Sequence, residues 1–339
     1  MVIRDLPMRV LVHGSSDTGR VRQANEDAFG IMLPPTLSEG IDALLIVADG
    51  MGGHAGGSRA SRIVAETVQG AFSRSTSEPH TGSIQGLSER LSGAIRGAND
   101  AVRAASLEDY SLRGMGSTAT VVVICGRHLV LGHVGDSRAY LARMGTIQQI
   151  SQDHSLVAQQ VRDGILSASE AEQHSQKNVL LRAIGGGQTV EVDSFILEIE
   201  PADVVILCSD GLSNLVTDQE ILHVVTTYGQ PQVAAETLVS GANERGSPDN
   251  VTAVVARVAS DQWVSSGRGA PTGLLGPRSA VASLIGGVDR IALRTVWWVW
   301  LGLIIFSGIA TVSFHSTWAS RAGIGQGSSW FRVMLGLGL

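Results

Sequence analysis

Lysine is almost missing from this chain: of 25 basic residues, only Lys177 is not an arginine. We read that shortage as coding bias. Cysteine is scarce too. Cys125 and Cys208 lie inside the apolar runs VVVICG and VVILCSD, and there is no CxxC pair. That excludes a cysteine-built zinc or redox centre and fits two buried thiols in a reducing compartment. The N-terminus, MVIRDLPMRVLVHG, lacks the long apolar core of a secretory signal, so the main domain is expected to stay in the cytoplasm. Positive charge is also short where nucleic acid would need it. Through residue 259 there are 19 basic and 29 acidic side chains; beyond it there are six and two. So acidic a domain does not neutralise a phosphate backbone, and no nucleic-acid partner is expected. Divalent cations suit it better.

The first 259 residues alternate short apolar runs with amphipathic ones. Runs rich in Val and Ile, bounded by Gly, Asp or Asn, predict strands over 43–48, 118–124, 128–134, 138–142, 204–209 and 251–258. A turn at Arg143-Met144-Gly145 joins strands within 128–150. Apolar spacing of three and four predicts a helix over 57–73, and Pro231 opens another over 231–245. Segments 88–106, 155–163 and 168–176 read as helices as well. Strands come in clusters with helices between them, a pattern of packed sheets flanked by helices more than a βαβ repeat.

Acidic residues mark the strand ends. Asp49 follows ALLIVA in VADGMGGHAGG, Asp136 sits in VGDSRAY, Asp210 in LCSDGL and Asp249 in SPDNVT, with the pair Glu26-Asp27 in RVRQANEDAF. Asp before Gly after a strand is ordinarily a turn former. Five such sites at strand edges point further, because converging carboxylates repel one another unless a cation lies between them. Hard oxygen ligands without Cys or His fit Mg²⁺ or Mn²⁺.

In order along the chain, VRQANEDA, VADGMGGH, GSTAT, GHVGDSRAYL, QDHSLV, LLRAIG, LCSDGL and SPDNVTAVV resemble the motifs of metal-dependent protein phosphatases of the 2C type. The resemblance is closest to the bacterial branch and covers roughly residues 9–258. It implies an α+β fold, a four-layer αββα sandwich of two antiparallel sheets flanked by helices, with a metal centre at one sheet edge. It implies two Mn²⁺ or Mg²⁺ ions and a third, looser site. By motif, Asp49 resembles the carboxylate bridging two ions, and Gly50 the residue lending its carbonyl to one of them. Asp210 and Asp249 resemble ligands of the first ion, and Glu26 a residue holding the other through water. Asp136 matches the third site, shared with Asp210, and Arg22 the arginine that clamps the substrate phosphate. Arg20 reads as a solvated charge. The activity implied is hydrolysis of phosphoserine or phosphothreonine on proteins by a water bridging the two metals. Asp49 and Arg22 are the residues expected to carry it, and a Ser/Thr kinase is the expected counterpart. Eukaryotic members place a proton-donating His after the Asp-Gly pair. Here Met51 stands there, leaving His54 or a metal-bound water for that role. Residues 155–184 resemble the family's flap, in which Ser167 or Ser169 is a candidate for the third metal and His174 is expected to be solvent-exposed.

The C-terminal stretch changes character. Residues 260–294, rich in Gly, Ser, Pro and Ala, read as a linker after a phosphatase domain spanning 9–259. The run 296–314 carries no charge and has Trp297, Trp298 and Trp300 at one end, with Trp318 just past the other. It predicts a transmembrane helix over 295–314 with a short extracytoplasmic tail over 315–339. Arg268, Arg278, Arg290 and Arg294 precede the run and only Arg321 and Arg332 follow it, which puts the phosphatase domain on the cytoplasmic face of the inner membrane. The competing expectation is a catalytically weak phosphoprotein-binding or scaffold module at the membrane. The presence of all four strand-end aspartates weighs against it.

Overall fold

The computed structural model describes residues 9–75 and 82–259. One sheet runs in the order β1 (Val10–Asp17), β12 (Val251–Val258), β11 (Val204–Cys208), β8 (Arg138–Arg143) and β9 (Thr146–Gln149). The other runs β10 (Asp193–Glu198), β7 (His128–Val134), β6 (Ala119–Cys125), β3 (Ala43–Ala48) and β2 (Ala28–Met32). Every pairing is antiparallel. The two-residue strands β4 (Gly50–Met51) and β5 (Gly116–Ser117) form a small third ladder beside them.

The period-two side-chain alternation shows why the central strands read as unbroken apolar runs. Along β3, Ala43, Leu45 and Val47 enter the core between the sheets with Leu207, Val254 and Ala256. Leu44, Ile46 and Ala48 face the other way, into a core closed by α1 (His54–Phe72) and α2 (Ile84–Glu108). On the far side of the sandwich, Ile206, Cys208, Ala253 and Val255 pack under α6 (Asp218–Thr227) and α7 (Pro231–Glu244). Three apolar cores between four layers give the expected αββα sandwich.

Three strand predictions, 43–48, 128–134 and 251–258, match to the residue, and the helices at 57–73, 88–106, 155–163, 168–176 and 231–245 are all present with shifted ends. The β8–β9 turn uses Met144 and Gly145 with φ of 47° and 77°, a left-handed pair suited to a two-residue hairpin. The expected linker, transmembrane helix and tail lie outside the described residues. Among the described residues, no helix is long and apolar enough to cross a membrane.

Candidate active site

Antiparallel pairing decides where the acidic residues meet. Strands β3, β7 and β11 leave the sheets just before Asp49, Asp136 and Asp210, while β2 and β12 enter just after Asp27 and Asp249. Ala48 pairs with Ala28, and Cys208 pairs with Ala253 near the start of β12, so within each sheet these exits and entries share one end. The structure brings Asp27, Asp49, Asp136, Asp210 and Asp249 into mutual electrostatic range.

The backbone around Asp49 is fixed on three sides. Its N–H donates to Thr118 Oγ1 at 2.8 Å, and its carbonyl accepts from Thr118 N–H at 2.8 Å and from Ser117 Oγ at 3.0 Å. Gly50 has no room for a side chain: a Cβ there would lie 2.1 Å from the Gly57 carbonyl oxygen and 2.5 Å from that of Glu26. Glu26 is buried, and its carbonyl accepts from Gly50 N–H at 3.2 Å and Ser61 Oγ at 2.6 Å. Asn250 draws the loop of residues 18–26 onto the head of β12. It accepts from Glu26 N–H at 2.8 Å and donates to the Thr18 and Ala24 carbonyls at 2.9 and 3.0 Å.

That loop presents Arg22, whose Nη2 donates to Asp249 Oδ2 at 2.8 Å while 45% of the side chain stays exposed. Asp249 Oδ1 also accepts from Asn250 N–H, and Asp210 Oδ2 accepts from Asn214 Nδ2 at 3.1 Å. Arg20 is exposed, as expected of a solvated charge, while its Nε donates to the Asn243 carbonyl at 3.1 Å, at the end of α7.

Electrostatics single out the residue that sequence reasoning left without a role. Asp27 Oδ2 accepts from Ser209 Oγ at 2.7 Å and from Thr252 Oγ1 at 2.6 Å, but its buried Oδ1 has no hydrogen-bond partner among the described residues. Burial, with the charges of Asp210 and Asp249, pushes its carboxyl up to about 7. Burial and the charge of Asp210 push Asp136 up to about 7 as well. Asp49 is raised well above the carboxylate range by burial and by Asp27, Asp210 and Asp136, and Asp210 is raised by burial and Asp249. These carboxylates keep some surface open while protein atoms crowd their charged ends. Asp27 stands immediately before β2, a strand its own sequence does not announce, whereas Asp249 stands two residues before the apolar run of β12.

The donor set fits divalent cations. Carboxylates crowded this closely hold protons unless positive charge replaces them, and the orphaned Asp27 oxygen calls for a donor or a cation-bound water. Among the described residues no three Asp, Glu, His or Cys side chains close into a metal cage by themselves. Backbone oxygen and water must complete any coordination, which suits Mg²⁺ and Mn²⁺.

The flap prediction needs adjustment. Ser167 caps α4 (Ala168–Gln173), donating to Glu170 Oε2 at 2.7 Å and lying 3.2 Å from Ser169 Oγ, so the helix cap engages both candidate hydroxyls. His174 is half-buried, its Nδ1 accepting from Gln176 N–H at 3.2 Å. The side chain of His54 lies outside the described residues.

A family model described as Protein phosphatase 2C matches residues 18–243. The serine/threonine phosphatase Stp of Listeria welshimeri is 33% identical over 240 residues, 71% of this chain and 92% of that protein. The serine/threonine protein phosphatase PstP of Mycobacterium tuberculosis is 38% identical over 245 residues, 72% of this chain and 44% of that longer protein. A crystal structure of the PstP catalytic domain in complex with two manganese ions is similar with a TM-score of 0.64 at 35% identity, covering 74% of this chain and 99% of that one. With its carboxylates gathered at one end of an αββα sandwich and a family match across that sandwich, this chain belongs to the protein phosphatase 2C family and is a metal-dependent serine/threonine phosphatase.

Proposed function

We propose that Asp49, Gly50, Asp210 and Asp249 hold the two divalent cations of this phosphatase. Glu26 supports them through water, Asp136 serves a third, looser position, and Arg22 binds the substrate phosphate. The observation that supports this most directly is the crowding of Asp27, Asp49, Asp136 and Asp210, whose burial and repulsion raise all four carboxyls. Bound there, Mn²⁺ or Mg²⁺ supplies positive charge and an acidified water as the nucleophile.

The chain's own residues do the rest. Three hydrogen bonds on its main chain present Asp49 in one orientation. Asn214 and Arg22 orient Asp210 and Asp249. One arm of Arg22 rests on Asp249, and its remaining N–H groups donate to phosphate oxygens, a task that suits a planar guanidinium. Water oxygen displaces the seryl or threonyl oxygen from phosphorus. Met51 has no proton to give, so the departing oxygen takes one from water. No side chain is needed as nucleophile: burial pushes the Cys208 thiol up to about 12, which keeps it neutral.

We further propose that the uncharged, Trp-flanked run at 296–314 anchors the chain in the cytoplasmic membrane with the phosphatase domain inside, opposing a Ser/Thr kinase there. The test is phosphate release from a phosphothreonine peptide with Mn²⁺, Mg²⁺ or chelator, for the parent chain and Asp49→Asn. Metal-dependent release, lowered at least about 10²-fold in the variant, is expected. Equal release by both chains overturns the assignment of Asp49. The same assay on fractionated cells places the activity in the membrane pellet; activity confined to the supernatant removes the anchor.

A further inference from the structure

The Asp136 turn is gripped from behind by groups that neither the metal nor the phosphate uses. Gly135, immediately before Asp136, has φ of 111°, and a Cβ there would lie 2.6 Å from Thr118 Cγ2. His154 engages both of its polar groups. The His154 N–H donates to the Gly135 carbonyl at 2.7 Å, and the Gly135 N–H donates to His154 Nδ1 at 3.1 Å. An Nδ1 that accepts leaves the ring proton on Nε2, which donates to Asp193 Oδ2 at 3.1 Å. Asp193 Oδ1 in turn accepts from Arg182 Nη1 at 2.6 Å. The His154 side chain is 1% exposed, and its burial lowers its pKa, so the ring is neutral and the placement of its one proton matters.

His133 braces the same turn. It is fully buried, its ring 4.8 Å from that of His154, and burial holds it down to about 4. Its Nε2 donates to the carbonyls of Gly135 and Gln152, both at 3.1 Å. His154 also reaches the segment that follows it. The Leu181 N–H donates to the His154 carbonyl at 2.8 Å, Leu156 N–H donates to the Val179 carbonyl at 2.8 Å, and Ser155 bridges Leu180. The Asp136 turn and both ends of segment 155–181 therefore meet around His154: its ring holds the Gly135 N–H, its main-chain carbonyl holds Leu181, and the pairs beside it join Ser155 and Leu156 to Leu180 and Val179.

We propose that His154 is a positioning residue: directing its single ring proton to Asp193 frees Nδ1 to hold the Gly135 N–H, which sets the Asp136 turn and the base of segment 155–181 together. The effect on metal binding rests on reading Asp136 as a metal carboxylate; the clamp itself does not.

The tautomer makes an unusual prediction. In Asp193→Asn, Arg182 claims the single amide oxygen, and the amide NH₂ is left facing His154 Nε2. The ring must then place its proton on Nδ1, against the Gly135 N–H, opposing two buried donors. Adding Arg182→Met frees the amide to turn its oxygen toward Nε2 and restores the original tautomer. The second substitution repairs the first. Relief of an unpaired Arg182 would repair it too, so the tautomer is read directly from the ¹⁵N shifts of the His154 ring: a protonated Nε2 in the parent and the double variant, a protonated Nδ1 in Asp193→Asn, and an Nε2 proton retained in Asp193→Asn overturns the proposal.

Lys177 supplies the readout. It is exposed, lies within segment 155–181, and is the only lysine in the chain, so a lysine-specific protease has one site. The test uses the full chain in chelator, with a thermal melt alongside. Asp193→Asn should be cut about tenfold faster than the parent, and the double variant should return to within about threefold of it. The Mn²⁺ concentration for half-maximal activity should rise in the single variant and fall back in the double. A single variant that fails to fold while the double folds supports the proposal equally. Parental cleavage in Asp193→Asn, or a double variant no better than the single, overturns it. Asp136→Asn separates the two readings: unchanged Mn²⁺ dependence there removes the metal role of Asp136 and leaves the cleavage result to judge the clamp.

Discussion

At the scale of single residues, space decides more than charge. Gly50 is not needed for a left-handed backbone; it is needed because the Gly57 carbonyl of α1 and the Glu26 carbonyl close over it. Gly50→Ala must push the Asp49–Gly50 segment off the first turn of α1 and break the 3.2 Å bond from Gly50 N–H to Glu26. A displacement of about 1 Å at a reacting centre costs on the order of 10²-fold in rate. We expect kcat to fall by about that factor while the folded chain persists, measured by peptide dephosphorylation beside circular dichroism. A parental kcat would show that the segment moves without consequence. The need for a small residue at 50 was legible in the sequence, because five glycines within eight residues after a strand-end aspartate imply a close approach. Asp27 was less legible. Its partners Ser209 and Thr252 lie 182 and 225 residues away, and no local pattern announces them.

At the scale of elements, legibility followed burial. Strands β3, β6, β7, β11 and β12 are buried on both faces and showed as continuous apolar runs. Strands β1 (VLVHGSSD) and β10 (DSFILE) lie at sheet edges, are only partly buried, and carry polar residues that blur the pattern. Helix α6 went unread although its start is well marked: Thr217 and Glu220 form a capping box. Glu220 also pairs with Arg245 beyond α7, which with the cap holds its carboxyl down to about 2 from an ordinary 4.5. A depressed carboxyl stabilises the fold above its unfolded value, and that stability drains away as pH falls from about 4.5 toward about 2. Glu220→Gln keeps a capping-box residue and removes the charge. With the Glu220 side chain 38% exposed, we expect a loss of about 0.5–1 kcal/mol at pH 7 in urea unfolding, shrinking toward zero near pH 2. An equal loss at both pH values would assign the effect to the cap and not to the ion pair.

At the scale of the whole molecule, the sandwich concentrates like charge at one end, so the site opposes the fold that builds it. Three apolar cores hold five aspartates near one another, and Asp27 and Asp136 are both raised to about 7 from 3.8. A carboxyl raised in the folded state favours folding fully below its unfolded value, and that contribution is lost as pH climbs through its folded value. The metal-free chain should therefore lose stability from this site between about pH 4 and about pH 7, where its carboxylates are forced to ionise together. Divalent cations reverse the sign, because they bind the ionised site and not the unfolded chain. At about 100 times its dissociation constant, Mn²⁺ contributes roughly 2.7 kcal/mol, or about 5–10 °C in melting temperature for a domain of this size. The measurement is the difference in melting temperature between Mn²⁺ and chelator at pH 5 and pH 7.5. We expect it to be larger at pH 7.5, to shrink in Asp49→Asn, and the metal-free variant to melt above the metal-free parent because one like charge is gone. An Mn²⁺ effect equal at both pH values, or a metal-free variant less stable than its parent, would show that crowding of the carboxylates is not what makes this end of the sandwich a cation site.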